Sequence, residues 1–176
     1  AGPGFGVFSE RDPGDAFGQQ AIWPRVVGIG NDKMSFIASI NGAILSYNNS
    51  YNNGVFSGYV EYPGDQAESY SLAIAPNGII GNAYIGNSDG INDNDVFYRF
   101  STDNGVTWSN PQLIWDWNIS TDSLGCLRGV SVVFGNNSEP YVAFNISLLT
   151  ETGFFPTLPS SIRVWSPGIN GGVPKV

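Results

Sequence analysis

The run Ser101-Thr102-Asp103-Asn104-Gly105-Val106-Thr107-Trp108 constrains the fold more than any other part of the chain, because its residue types and spacing together exceed what turn chemistry requires. The strand-like run Val96 to Phe100 enters it and Gln112 to Trp115 leaves it, which places the octet at the tip of a β-hairpin. The Ser101 hydroxyl and the Asp103 carboxylate can bond turn backbone groups. Gly105 supplies a positive φ without steric cost, and Trp108 can fold its ring back over the hairpin. The expectation is a self-contained clip that holds a turn together and does no chemistry.

Around this clip the chain reads as hairpins. Arg25 to Ile29 and Met34 to Ala38 flank a turn at Gly30-Asn31-Asp32. Ala43 to Tyr47 and Val55 to Tyr62 follow, separated by the polar run Tyr47 to Gly54, which is expected to be a loop. The same order recurs with Tyr70 to Ile74, the turn Pro76-Asn77-Gly78, Ile79 to Ile85 and the hairpin of the octet. It begins again with Val130 to Phe134, the turn Gly135-Asn136-Asn137, Tyr141 to Asn145 and Ser161 to Trp165, with Val173 to Val176 as a last strand. The turn asparagines Asn31, Asn77 and Asn136 lie about 46 and then about 59 residues apart, a repeat length within or somewhat above that of propeller blades. The expected organisation is an irregular segment or edge strand over 1–20, then units over 21–64, 65–120 and 121–176. The third unit breaks off in its last strand, as a piece of a longer chain would.

The pattern Ser-x-Asp-x-Gly-x-Thr-Trp at 101–108 resembles the Asp-box of the sialidase-like (BNR repeat) β-propellers, and Asn94 to Phe100 resembles the strand that leads into it. The resemblance covers one hairpin firmly and the flanking units by pattern. It implies an all-β fold, a β-propeller segment of about three four-stranded antiparallel blades, with Ser101, Asp103, Gly105, Thr107 and Trp108 as a structural element away from any active centre. The loops Tyr47 to Gly54 and Ser166 to Gly172 stand where further boxes would lie and lack the acidic residue and the tryptophan. Closed propellers have at least about four blades, so three imply open sheet faces, completed by the rest of the same chain or by other chains.

Composition narrows what such a fold does. In 176 residues, 41% are hydrophobic and only 12% charged, with 23 glycines and 11 prolines, which suits short strands and many turns. A net charge of −8 leaves no basic face for phosphate, so neither nucleic acid nor an anionic membrane is an expected partner. No apolar run is long enough for a membrane span, and the first residues lack the pattern of a signal peptide. The Asn/Gly/Ser-rich loops, few lysines and four Asn-x-Ser sequons, at Asn48, Asn118, Asn136 and Asn145, point to a secreted, cell-surface protein.

The chain has no histidine, which removes Ser-His-Asp and Cys-His nucleophiles and every His-ligated metal. Cys126 is alone and suits a small packing residue. Arg25 and Arg128 both stand at the start of a unit's first strand, where they either face an anionic ligand or pair with carboxylates such as Asp122 or Asp15. The arginine–Ile-Pro order that sialidases use is not kept, since Pro24 precedes Arg25. The loop Asn87 to Asp95 concentrates oxygen ligands, with Asp89, Asp93 and Asp95 the candidates for calcium, although any long turn before a strand has this composition. Trp115 and Trp117 alternate about Asp116, which puts both rings on one face as a candidate surface for a carbohydrate or a protein, or else as packing. The expected function is a non-catalytic binding, adhesion or surface-assembly module. The alternatives are a fragment of a glycoside hydrolase of the exo-sialidase type, or a subunit that self-assembles through open edges.

Overall fold

The computed structural model of the protein describes residues 21–30, 33–40, 45–52, 55–63, 69–86, 94–150 and 152–176. It is all-β, with twelve antiparallel strands in three sheets and one short 3-10 helix at Asn170–Gly172 among the described residues. The expected segment 1–20 and the turn at Asn31-Asp32 lie outside the described residues.

Sheet one is a meander of β1 (Ala21–Gly30), β2 (Lys33–Ile40), β3 (Leu45–Asn52) and β4 (Val55–Pro63). Strand β3 corrects the expected polar loop. Its asparagines disfavour strand when alone, but β3 pairs with β2 from Leu45 to Asn52 and with β4 along its other edge. Backbone bonds on both sides override the weak local preference. Residues 47–52 are therefore strand, and Asn53 and Gly54 lie outside the described residues.

Sheet two follows the same path through β5 (Tyr70–Ile74), β6 (Ile80–Gly86), β7 (Asp95–Ser101) and β8 (Gln112–Trp115). Sheet three consists of β9 (Leu124–Gly125), β10 (Val130–Phe134), β11 (Pro140–Thr150) and β12 (Gly153–Trp165). Strands β9 and β10 share one edge of β11, and β12 takes the other.

Strand β12 is much longer than the expected strand Ser161–Trp165. It is interrupted where the register jumps from Ser147↔Ser160 to Leu148↔Phe155. Residues 156–159 are thus left unpaired. Pro156 and Pro159 lack the N–H that a ladder needs, so this stretch bulges out. The expected last strand reduces to one bridge, in which Val164 and Lys175 exchange backbone bonds of 2.7 and 2.9 Å.

Sheet two is packed on both faces. One face meets sheet one through Ile37, Tyr70, Tyr84 and Phe97, with Leu72 against them. The other joins Ala83, Ile85, Val96, Tyr98 and Ile114 to Val130, Val132, Val142, Phe144, Ile146 and Trp165 of sheet three. This explains why β6 is buried at every position, where a sheet with one wet face would alternate. Polar bonds also link these sheets: the Val132 amide donates to Ser71 Oγ (3.1 Å), the Asn77 amide to Ser138 Oγ (3.2 Å) and the Asn94 side-chain amide to the Cys126 carbonyl (3.0 Å). The first of these satisfies an N–H on the free edge of β10, which would otherwise stay exposed to stray strand pairing. Among the described residues the three sheets do not close into a barrel or a ring.

Candidate functional site

The octet folds on itself after β7. Ser101 Oγ donates to Asp103 Oδ1 at 2.8 Å and accepts the Gly105 amide at 2.8 Å. Asp103 also accepts the Thr107 amide at 2.8 Å and the Thr107 hydroxyl. Gly105 has φ 85°, which a side chain would make costly. Trp108 Nε1 donates to the Gly105 carbonyl at 3.2 Å, and the Arg99 guanidinium lies 5.8 Å from its ring centre. Burial pushes the Asp103 carboxyl up, but the bonds from Thr107 and Ser101 outweigh it and hold it below its ordinary value. Every polar atom of this clip named above points inward to its own turn.

The other sequence candidates separate. Trp117 is only 3% exposed, and its amide donates to Asp95 Oδ1 at 2.9 Å. A Cβ on Gly125 would stand 2.9 Å from Trp117 Nε1, so the indole lies directly on the β9 backbone. Trp115 is tilted against Phe144 at 6.0 Å and lies under the Arg163 guanidinium at 5.7 Å. Both tryptophans are therefore occupied in packing between sheets two and three. Asp95 is buried beside Trp117, while Asp89 and Asp93 lie outside the described residues. Cys126 is buried, and its thiol faces the Arg128 carbonyl. Arg128 is exposed in the break between β9 and β10, and Arg25 is exposed within β1.

Arg25 belongs to a cluster that sequence reasoning did not assemble. In β1, Ile22 pairs with Ser39 and Arg25 with Ile37, so Trp23 and Pro24 together face the single Ala38 in a β-bulge. Pro24 has no N–H to lose there. Trp23 takes φ 54°, a left-handed conformation that costs a non-glycine residue about 1–3 kcal/mol. It is held by sheet two: the Tyr70 hydroxyl donates to the Trp23 carbonyl at 2.6 Å and accepts the Ser39 amide and hydroxyl at 3.1 and 3.3 Å. Burial pushes the Tyr70 hydroxyl up, against the lowering effect of the Ser39 bonds and the nearby Arg25 charge. The result is an indole 47% exposed on a fixed backbone, two residues from an exposed guanidinium. An aromatic face beside a cation suits a ligand with an apolar ring and a carboxylate or other anion.

A second carboxylate clip was also illegible in sequence. Glu139, in the β10–β11 turn, accepts the buried Ser166 hydroxyl at 2.6 Å, the Gly168 amide at 2.8 Å and the Asn137 side-chain amide at 3.2 Å. The Ser166 and Asn137 bonds hold its carboxyl below the ordinary value. It pins the loop after β12 much as Asp103 pins the loop after β7, but from a different hairpin.

No protein-family model matches the chain, and no curated protein matches it. Among solved structures it is similar to the crystal structure of an unknown-function protein from Dyadobacter fermentans DSM 18053, with 12% identity and a TM-score of 0.52. The match covers 89% of this chain and 54% of that one, so the chain spans about half of that protein's length. At this identity the likeness concerns the fold alone. No helix among the described residues is long and apolar enough to cross a membrane.

Proposed function

We propose that the chain is a segment of an Asp-box β-propeller that acts as an extracellular, non-catalytic binding module for an anionic carbohydrate. Three consecutive four-stranded antiparallel sheets, with the first strands β5 and β10 adjoining, support the propeller part of the reading. The binding part rests on one observation. Trp23 is exposed on a strained backbone held by a hydrogen bond from the next sheet, with the exposed Arg25 two residues further along the strand, an arrangement that packing alone does not require. A stacked sugar ring over Trp23 with its carboxylate on Arg25 uses both groups.

Binding of the 176-residue chain to an array of sialylated, uronate-containing and neutral glycans tests this. Preference for the acidic sugars, lost in Trp23→Ala and in Arg25→Ala with unchanged melting temperature, is the expected result. Indifference to both substitutions would remove the reading, and turnover of a fluorogenic sialoside by the chain would replace it with a hydrolase.

A further inference from the structure

Five Asn-Gly pairs occur in the sequence, at Asn41, Asn53, Asn77, Asn104 and Asn170, and the first two lie outside the described residues. In this dipeptide a backbone amide can attack the side chain before it, because glycine has no Cβ to block the approach. The glycine nitrogen gives up its proton and bonds to the asparagine Cγ, and the side-chain nitrogen leaves as ammonia. Water then opens the cyclic imide to aspartate or to isoaspartate. The three described asparagines are all exposed and all precede glycine, so neither sequence nor exposure ranks them. What differs is the attacking amide.

At Asn77 the Gly78 amide donates to the Ala75 carbonyl at 2.9 Å, and the asparagine side-chain oxygen accepts the Ile79 amide at 3.2 Å. At Asn104 the following glycine is buried, and its amide donates to Ser101 Oγ at 2.8 Å. An amide proton held in such a bond is harder to remove, and the nitrogen that carries it is not free to swing toward Cγ. Asn170 has neither restraint. Among the described residues the Gly171 amide has no acceptor, and a Cβ on Gly171 would meet nothing within 4 Å. The leaving nitrogen of Asn170 is held only by a 3.4 Å bond to the Val173 carbonyl.

We propose that Asn170 is a site of spontaneous modification, converted by water through the imide to aspartate and isoaspartate, while the bonds on Gly78 and Gly105 keep the other two turns intact. The site stands where conversion alters the fold locally. Asn170, Gly171 and Gly172 run through the left-handed region at φ 52°, 65° and 80°, and the Asn170 carbonyl accepts the Val173 amide at 3.3 Å. That turn delivers Lys175 to its bridge with Val164. Isoaspartate lengthens the backbone of the turn by a methylene and releases Lys175 from the edge of β12.

Incubation of the folded chain in mildly alkaline buffer, which favours loss of the amide proton, tests the proposal, with peptide mapping by mass spectrometry following all three asparagines in one sample. Asn170 is expected to convert at least about fivefold faster than Asn77 and Asn104, as one net hydrogen bond on the attacking amide requires. In concentrated urea the three should react at similar rates. Ser101→Ala frees the Gly105 amide and is expected to bring Asn104 up toward the rate of Asn170, while Asn77 stays slow in the same chain and reports that the sheets remain folded. The isoaspartyl product, once separated, should exchange its Val164 and Lys175 amide hydrogens faster than the parent chain. Conversion of Asn77 or Asn104 as fast as Asn170 in the folded chain overturns the proposal. So does a ranking that persists in urea, which would mean that sequence and not fold sets it, and so does an Asn104 rate indifferent to Ser101→Ala. Unaltered exchange at Lys175 overturns the release.

Discussion

Asp103 is exposed, yet it gathers the Ser101 hydroxyl and both the amide and hydroxyl of Thr107. Replacing it with alanine leaves these donors to water, so the expected loss is modest, about 1 kcal/mol in urea unfolding. The acid limb gives a sharper signature. A carboxyl whose folded value is lowered contributes stability that is present above its ordinary value, 3.8 for Asp103 and 4.5 for Glu139, and lost as pH falls through the folded value. Asp103→Asn and Glu139→Gln should therefore each flatten the fall in melting temperature below about pH 4, with little effect of either on its pH dependence near neutrality. Gly125 is the opposite case, a buried position with no room. A methyl there would meet Leu149 at 2.6 Å and the Trp117 ring at 2.9 Å, and Gly125→Ala is expected to cost about 1–3 kcal/mol with a blue-shifted or broadened Trp117 emission.

At the scale of the element, the edge of β10 depends on a side chain from another sheet. Ser71→Ala removes the acceptor of the Val132 amide, and a buried amide left without a partner costs about 1–3 kcal/mol. Hydrogen exchange at Val132 should accelerate by more than at Val142, whose strand is paired on both sides. Legibility in the sequence follows the same division between local and distant causes. The hairpins around Asn77 and Asn137 were readable because the turn residue and both strands lie within a few positions of each other. The octet was readable for the same reason. The second part of strand β3, Asn48 to Asn52, was not, since its asparagines become strand only between two partners. The Trp23 bulge escaped because the bond that fixes it comes from Tyr70. Glu139 escaped because Ser166 and Gly168 are distant in the chain, although an acidic residue closing an Asn-Asn-Ser turn was there to be questioned. For Trp115 and Trp117 alternation left a binding surface and packing both open, because it shows which residues share a face, not what lies against it.

Across the whole molecule, the sheets are joined largely by tyrosines and aliphatic side chains of sheet two, and this sets the alkaline limit of stability. Burial pushes the Tyr84 hydroxyl up to about 12, partly offset by Arg99, and drives that of Tyr98 higher still. A raised folded value means that the stability contributed is complete below the ordinary value of 10 and is lost as pH rises toward and through the folded one. Unfolding monitored by tyrosinate absorbance should therefore show stability declining from about pH 10, and Tyr84→Phe should shift that decline upward.

The double covering of sheet two has a further consequence for a chain made from its N-terminus. When β8 leaves the ribosome, sheet two can settle on sheet one, but the side chains awaiting sheet three are still bare. The roughly 50 residues that follow take about 3–10 s to synthesise at about 5–20 residues per second. During that interval Ala83, Ile85, Val96 and Tyr98 form an apolar surface on a nascent chain, and a chaperone that recognises such surfaces has its natural binding window there.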